Sequence, residues 1–180
     1  GDLSIILLAL NADLTLANGK TKRQLPLKDF FKGYKKLDLK KDEIVETIEI
    51  PVCPWAGDIY FHFEKVSQRR HLDIASCNSG IFIRTFEDKI DDIHISAGGV
   101  APVPLYLEKT GAFLKGKDIT GDTITAALEI METEIAPISD VRGSAHYKKL
   151  LLRNLVFSHF ITLFPEKNLD SYFLDAGRNQ

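Results

Sequence analysis

The run Lys65-Val66-Ser67-Gln68-Arg69-Arg70-His71-Leu72-Asp73-Ile74-Ala75 is the densest stretch of side chains able to hold a charged ligand. Lys65, Arg69, Arg70, His71 and Asp73 fall between two alternating apolar stretches, which puts them on a loop at a strand end. Cations there could face an anionic or electron-accepting ligand. A solvated turn is the plainer reading, because loops carry function without most loops being functional. Ser96-Ala97-Gly98-Gly99-Val100-Ala101-Pro102 supplies small residues where a backbone approaches a neighbour closely or takes a positive φ. It lacks the three spaced glycines of a dinucleotide fingerprint and reads first as a strand-to-helix corner, with a phosphate cradle as the other possibility. Asp140-Val141-Arg142-Gly143-Ser144 reads as a capped helix start, with Arg142 placed to pair with Asp140. No two of the five histidines stand at metal-ligand spacing. Cys77 sits in a strand pattern as a small hydrophobe and Cys53 in a linker.

The elements around these residues follow from periodicity. Asp2 stands where an N-cap belongs, with Leu3, Ile6, Leu7 and Leu10 at helical spacing behind it, which predicts a short buried helix. Residues 12–17 and 21–27 flank Asn18-Gly19, whose positive φ angles would close a β-hairpin. An aromatic segment ends at Gly33. Residues 43–51 alternate Ile44, Glu46, Ile48 and Ile50 until Pro51 stops pairing, which predicts a strand antiparallel to the hairpin. Pro51-Val52-Cys53-Pro54-Trp55-Ala56-Gly57 breaks both kinds of regular structure and marks a domain boundary. Three strands follow at 59–66, 74–86 and 89–97, with an acidic turn at Glu87-Asp88, and then three helices at about 105–114, 122–135 and 144–164. The predicted class is α+β, an antiparallel three-stranded meander packed on one face against a C-terminal helical bundle.

Bulk properties narrow the function. The chain has 180 residues, 44% hydrophobic and 27% charged, the size of one globular domain or of one domain with part of another. A net charge of −2, with basic and acidic residues interleaved, gives no reason to expect nucleic acid. The apolar runs are too short or too interrupted to span a bilayer. Two cysteines form no disulfide scaffold, which favours a reducing cytoplasm. The chain opens Gly1-Asp2-Leu3 without a methionine or a leader, so it is expected to be a fragment.

The same residues carry a resemblance. Gly1-Asp2-Leu3, Asp29-Phe30-Phe31-Lys32-Gly33-Tyr34, Ile48-Glu49-Ile50-Pro51, Lys65 with Arg69-Arg70 and Asp73-Ile74-Ala75, Gly98-Gly99-Val100-Ala101, and Asp140-Val141-Arg142-Gly143-Ser144-Ala145 occur in an order that resembles the flavin-binding part of the xanthine dehydrogenase family of molybdenum hydroxylases, carbon monoxide dehydrogenase flavoproteins included. The resemblance implies that residues 1–53 end an α+β FAD-binding subdomain, that 54–165 form the flavoprotein C-terminal domain, and that 166–180 are a tail. It implies FAD as cofactor, contacted by Asp2, Val45, Lys65 and Ile74, with no catalytic proton-transfer residue in this chain. Val45 would pack on the isoalloxazine ring, Lys65 would lie near a flavin carbonyl, and 66–76 would border nicotinamide access. Leu72 departs from relatives that carry an acidic residue there. Electrons would come from molybdopterin through 2Fe-2S clusters on partner subunits or domains and leave to NAD, in an oligomeric enzyme. The Gly-rich phosphate loops of such proteins are absent here, so the fragment should bind FAD poorly and be inactive alone. The alternatives are a non-catalytic subunit-interaction module built on the helices after Leu105, or the flavin subunit of a carbon monoxide dehydrogenase or an aromatic thioester reductase.

Overall fold

The computed structural model describes residues 1–52, 57–69 and 73–172. Cys53, Pro54, Trp55 and Ala56 of the linker, Arg70, His71 and Leu72 of the loop, and the tail from residue 173 lie outside the described residues.

Helix α1 (Asp2–Ala9) is capped by Gly1, and Asp2 is its first helical residue, with its carboxylate employed elsewhere. The buried side is Ile5, Leu8 and Ala9, whereas Leu3 is 66% exposed. The sequence periodicity pointed to another face because 3–10 is apolar at all but one position, and such a run has no stripe to read. Strands β1 (Asp13–Ala17) and β2 (Lys22–Pro26) form the expected hairpin. Gly19 alone of the Asn18-Gly19 pair takes positive φ, at +82°. Asn18 closes the turn with its side chain instead, its Oδ1 accepting from the amides of Lys20 at 3.1 Å and Thr21 at 2.9 Å. A single turn α2 (Leu27–Phe30) and a small ribbon of β3 (Phe31–Gly33) and β4 (Lys36–Leu37) lead to β5 (Ile44–Glu49). That strand pairs antiparallel with β1, giving the order β2-β1-β5. Arg23 binds both oxygens of Glu43 at 2.9 Å and so ties the approach to β5 onto the hairpin. That bidentate contact is the main reason the Glu43 carboxyl is pulled down to about 2.

The second sheet is a meander of β6 (Asp58–Val66), β7 (Cys77–Phe86) and β8 (Lys89–Gly98), joined at its edge by β9 (Leu105–Tyr106). The fourth strand is two residues long, too short for alternation to reveal, and it delays the following helix. Glu87 and Asp88 both hold positive φ, +50° and +62°, the geometry of a two-residue type I′ turn. Period-two alternation then sorts the side chains. Ser79, Ile81 and Ile83 of β7 and Ile93, Ile95 and Ala97 of β8 lie in register on one face. They bury against α3 (Glu108–Leu114), α4 (Gly121–Glu132) and α5 (Ala145–Leu163), where Leu128, Met131, Leu152 and Phe160 complete the core. Thr120 and Ser144 cap the last two helices, accepting from Thr123 at 3.2 Å and Tyr147 at 3.1 Å.

The opposite face is built from Asn78, Gly80, Ser96 and Gly98, and α1 lies directly on it. A Cβ on Gly80 would stand 3.1 Å from the Ala9 methyl, so the missing side chain is what lets the helix come this close. Ser96 Oγ donates to the Ile5 carbonyl at 2.7 Å. The meander is therefore sandwiched between α1 and three helices. Among the described residues no helix is long and apolar enough to cross a membrane.

Candidate functional site

Lys65 and Asn78 are ladder partners at one end of β6 and β7, so both side chains rise on the face that α1 covers. The first residue of α1 meets them there. Asp2 Oδ2 accepts from Lys65 Nζ at 2.8 Å and Asp2 Oδ1 from Asn78 Nδ2 at 2.7 Å. Burial opposes ionisation of Asp2, but the hydrogen bonds from Lys65 and Asn78 outweigh it and hold the carboxyl below its ordinary value. The lysine side chain is 34% exposed and the aspartate 38%, so the pair is half in water and its worth is geometric more than energetic. Lys65 Nζ donates again, to the Asp73 carbonyl at 3.2 Å. Two of its three N–H groups are thus engaged, and the third has no partner among the described residues.

Asp73 organises the loop beyond β6. Its carboxylate accepts from the Arg69 amide at 2.8 Å and the Ile74 amide at 2.9 Å and faces the Arg69 guanidinium at 3.6 Å. The Arg69 amide is the leading reason its carboxyl lies below the usual range. Ser76 N closes the loop on the Val66 carbonyl at 2.8 Å, and Gln68 reaches the Val141 carbonyl at 3.3 Å. Lys65 and Arg69 thus each have an aspartate partner, whereas Arg70 and His71 lie outside the described residues. Ile74, beside this hub, is 68% exposed. Asp2, Lys65 and Ile74 are therefore brought to one place. Val45 is on β5 of the other sheet, opposite Leu16 and 39% exposed.

The other motifs resolve into structure. A Cβ on Gly98 would fall 2.1 Å from Asn78 Oδ1, and one on Gly99 2.4 Å from the Ser76 carbonyl. Protein already fills the space that a phosphate cradle would need, and the glycines serve close strand contacts. Asp140 pairs with Lys148 at 2.8 Å; Arg142 offers it only its backbone amide, at 2.9 Å. Lys148 is 2% exposed and also donates to the Ile138 carbonyl at 2.9 Å. Cys77 is buried, which pushes its thiol up to about 12 and makes it inert. His62 on β6 and His159 on α5 share one hydrogen bond, Nδ1 to Nδ1 at 2.8 Å. Among the described residues no group of three or more His, Cys, Asp or Glu could hold a metal ion.

Asn78 is the site residue that reading the sequence missed. Its signal was present in Ser76-Cys77-Asn78-Ser79-Gly80, a polar and small run opening a strand that must be buried, which marks a backbone or carboxylate coming close. As a binding surface, the cluster offers a lysine N–H without a partner among the described residues, beside an exposed aliphatic side chain. Such a pairing can meet the carbonyl edge and face of a planar heteroaromatic ring.

Residues 62–163 match the family model described as CO dehydrogenase flavoprotein C-terminal domain, and residues 1–53 match the one described as FAD binding domain in molybdopterin dehydrogenase. Xanthine dehydrogenase 1 of Arabidopsis thaliana is 34% identical over 89% of this chain, which corresponds to 12% of that protein. Glyceraldehyde dehydrogenase medium chain of Sulfolobus acidocaldarius is 30% identical over 88% of this chain and 55% of its own length. A solved carbon monoxide dehydrogenase from Hydrogenophaga pseudoflava superposes with a TM-score of 0.80 and 26% identity, over 87% of this chain and 53% of that one. The chain thus spans about half the length of the medium-chain relatives and far less of the xanthine dehydrogenases.

Proposed function

Because this chain belongs to the CO dehydrogenase flavoprotein C-terminal domain family, we propose that it forms the ring-facing side of an FAD site in a molybdenum hydroxylase of the xanthine dehydrogenase kind. The observation that carries this reading is the Asp2–Lys65 contact, which joins the segment matched as FAD-binding to the first strand of the flavoprotein domain. FAD supplies a ring that takes up a pair of electrons from one partner and passes them to another. Lys65 would hold the carbonyl edge of the ring through its ammonium, whose positive charge would favour uptake of electrons there. Asp2 and the Asp73 carbonyl keep that ammonium from swinging into solvent. Ile74 and Val45 exclude water from the ring face, and the Asp73-ordered loop borders the path of the acceptor. No side chain here is assigned a proton transfer.

In the intact enzyme, electrons would arrive from a molybdopterin centre through two 2Fe-2S clusters on partner subunits or domains and leave to NAD, in a cytoplasmic oligomer. The medium-chain and medium-subunit names of two relatives support a multi-subunit setting. We divide the chain into an FAD-subdomain remnant at 1–53, a flavoprotein C-terminal domain at 54–165 and a tail at 166–180. Without phosphate-binding loops the chain alone should hold FAD weakly and turn over nothing. In the assembled enzyme, Lys65→Ala should slow NAD reduction by the flavin and spare substrate oxidation with an artificial acceptor that bypasses it. Unchanged NAD turnover would count against the role of Lys65.

A further inference from the structure

We infer that Asn78 is the positioning residue of the Asp2–Lys65 pair, acting through Asp2 to set where the lysine donor points. This role rests on the flavin-site reading above. Asn78 is 4% exposed on β7 and faces Lys65 across the ladder. A carboxylate held only by a flexible, half-exposed lysine can turn about its last torsion and follow the lysine into water. Held at its second oxygen by a buried amide, at 2.7 Å, it keeps one orientation. The amide is itself fixed from the far side. Gly98 is the partner of Asn78 on β8, and a Cβ there would come within 2.1 Å of Asn78 Oδ1. Gly98 therefore reserves the space in which the amide lies, the amide aims the carboxylate, and the carboxylate with the Asp73 carbonyl at 3.2 Å aims Lys65. Removing the amide leaves every charge in place and only loosens the direction of the free N–H. Fixed direction is what separates a pre-organised donor from a mobile one.

Asn78→Ala in the 180-residue chain, followed by NMR of carboxyl and lysine ammonium groups, should raise the Asp2 titration midpoint toward that of an ordinary carboxylate and remove the slow exchange of the Lys65 ammonium. Gly98→Ala should give the same two changes with Asn78 intact, so the outcome does not hang on one variant, and thermal unfolding verifies that each is folded. In the flavoprotein that holds FAD, Asn78→Ala should weaken FAD binding about tenfold. It should also move the flavin midpoint potential in the same direction as Lys65→Ala. If Lys65→Ala leaves affinity and potential unchanged, the flavin-site reading falls. If Lys65→Ala changes both while Asn78→Ala changes neither and leaves the Asp2 midpoint unmoved, the role of Asn78 falls and the flavin-site reading stands.

Discussion

Replacing His159 with glutamine should flatten the pH dependence of stability between about pH 7 and about pH 5. His159 is fully buried where α5 crosses β6, with its Nδ1 engaged by His62. Burial, with the His62 ring second, lowers its pKa from 6.5 to about 3. The unfolded chain thus binds a proton that the folded chain refuses, so stability is present above the unfolded pKa and drains away as pH falls below it. The slope is about 1.4 kcal/mol per pH unit, and the loss from about pH 7 to about pH 5 comes to about 2 kcal/mol. Glutamine keeps an amide for His62 and does not titrate. His94, whose pKa burial also lowers, contributes equally to both proteins and cancels in the difference. Urea unfolding followed by far-UV circular dichroism, at constant ionic strength across this range, measures the effect. Wild-type and H159Q profiles running parallel would refute the claim that a neutral, buried His159 is a source of acid sensitivity.

Asp140→Ala should destabilise the fold more than Lys148→Met, because the first strands a buried ammonium with a lone carbonyl and the second removes the charge along with its need for a partner; equal urea midpoints would contradict this. Glu87→Asn combined with Asp88→Gly should stabilise the chain by about 1 kcal/mol, by placing residues that accept positive φ in the type I′ turn, read as a higher melting temperature. Gly80→Val should cost about 1–3 kcal/mol by lifting α1 from the sheet, and hydrogen exchange should quicken at the amides of residues 5–9 while those of α5 stay protected.

The central strands of the meander were legible because Ile81, Ile83, Ile93 and Ile95 alternate on the bundle face with Gly80, Arg84, Asp92 and Ser96 on the other. The face of α1 was not, since a helix apolar all round is oriented by its partner alone. Helix starts at Ser144 and Thr120 could be read from their caps, whereas the start of the helix after β9 is set by a two-residue strand pairing with β8. At the site, Lys65, Asp2 and Ile74 stood out by likeness to a family. What joins them could not be read from one dimension. Asp2 and Lys65 are 63 residues apart, Asp2 and Asn78 are 76 apart, and neither separation leaves a local trace. The partner of Lys65 in particular could not be read from the loop, because Asp2 arrives from another element.

The contact of α1 with the meander bears on heredity. Ala9 keeps its place only while position 80 carries no side chain, Ser96 must keep a hydroxyl while it bonds the Ile5 carbonyl, and Asn78 can keep its rotamer only beside Gly98. Positions 2, 5 and 9 of one matched segment are thereby bound to 78, 80, 96 and 98 of the other. Relatives should drift at these positions in concert. A chimera joining the first segment of one relative to the second segment of another should fold only when both parents share the same solution at this seam.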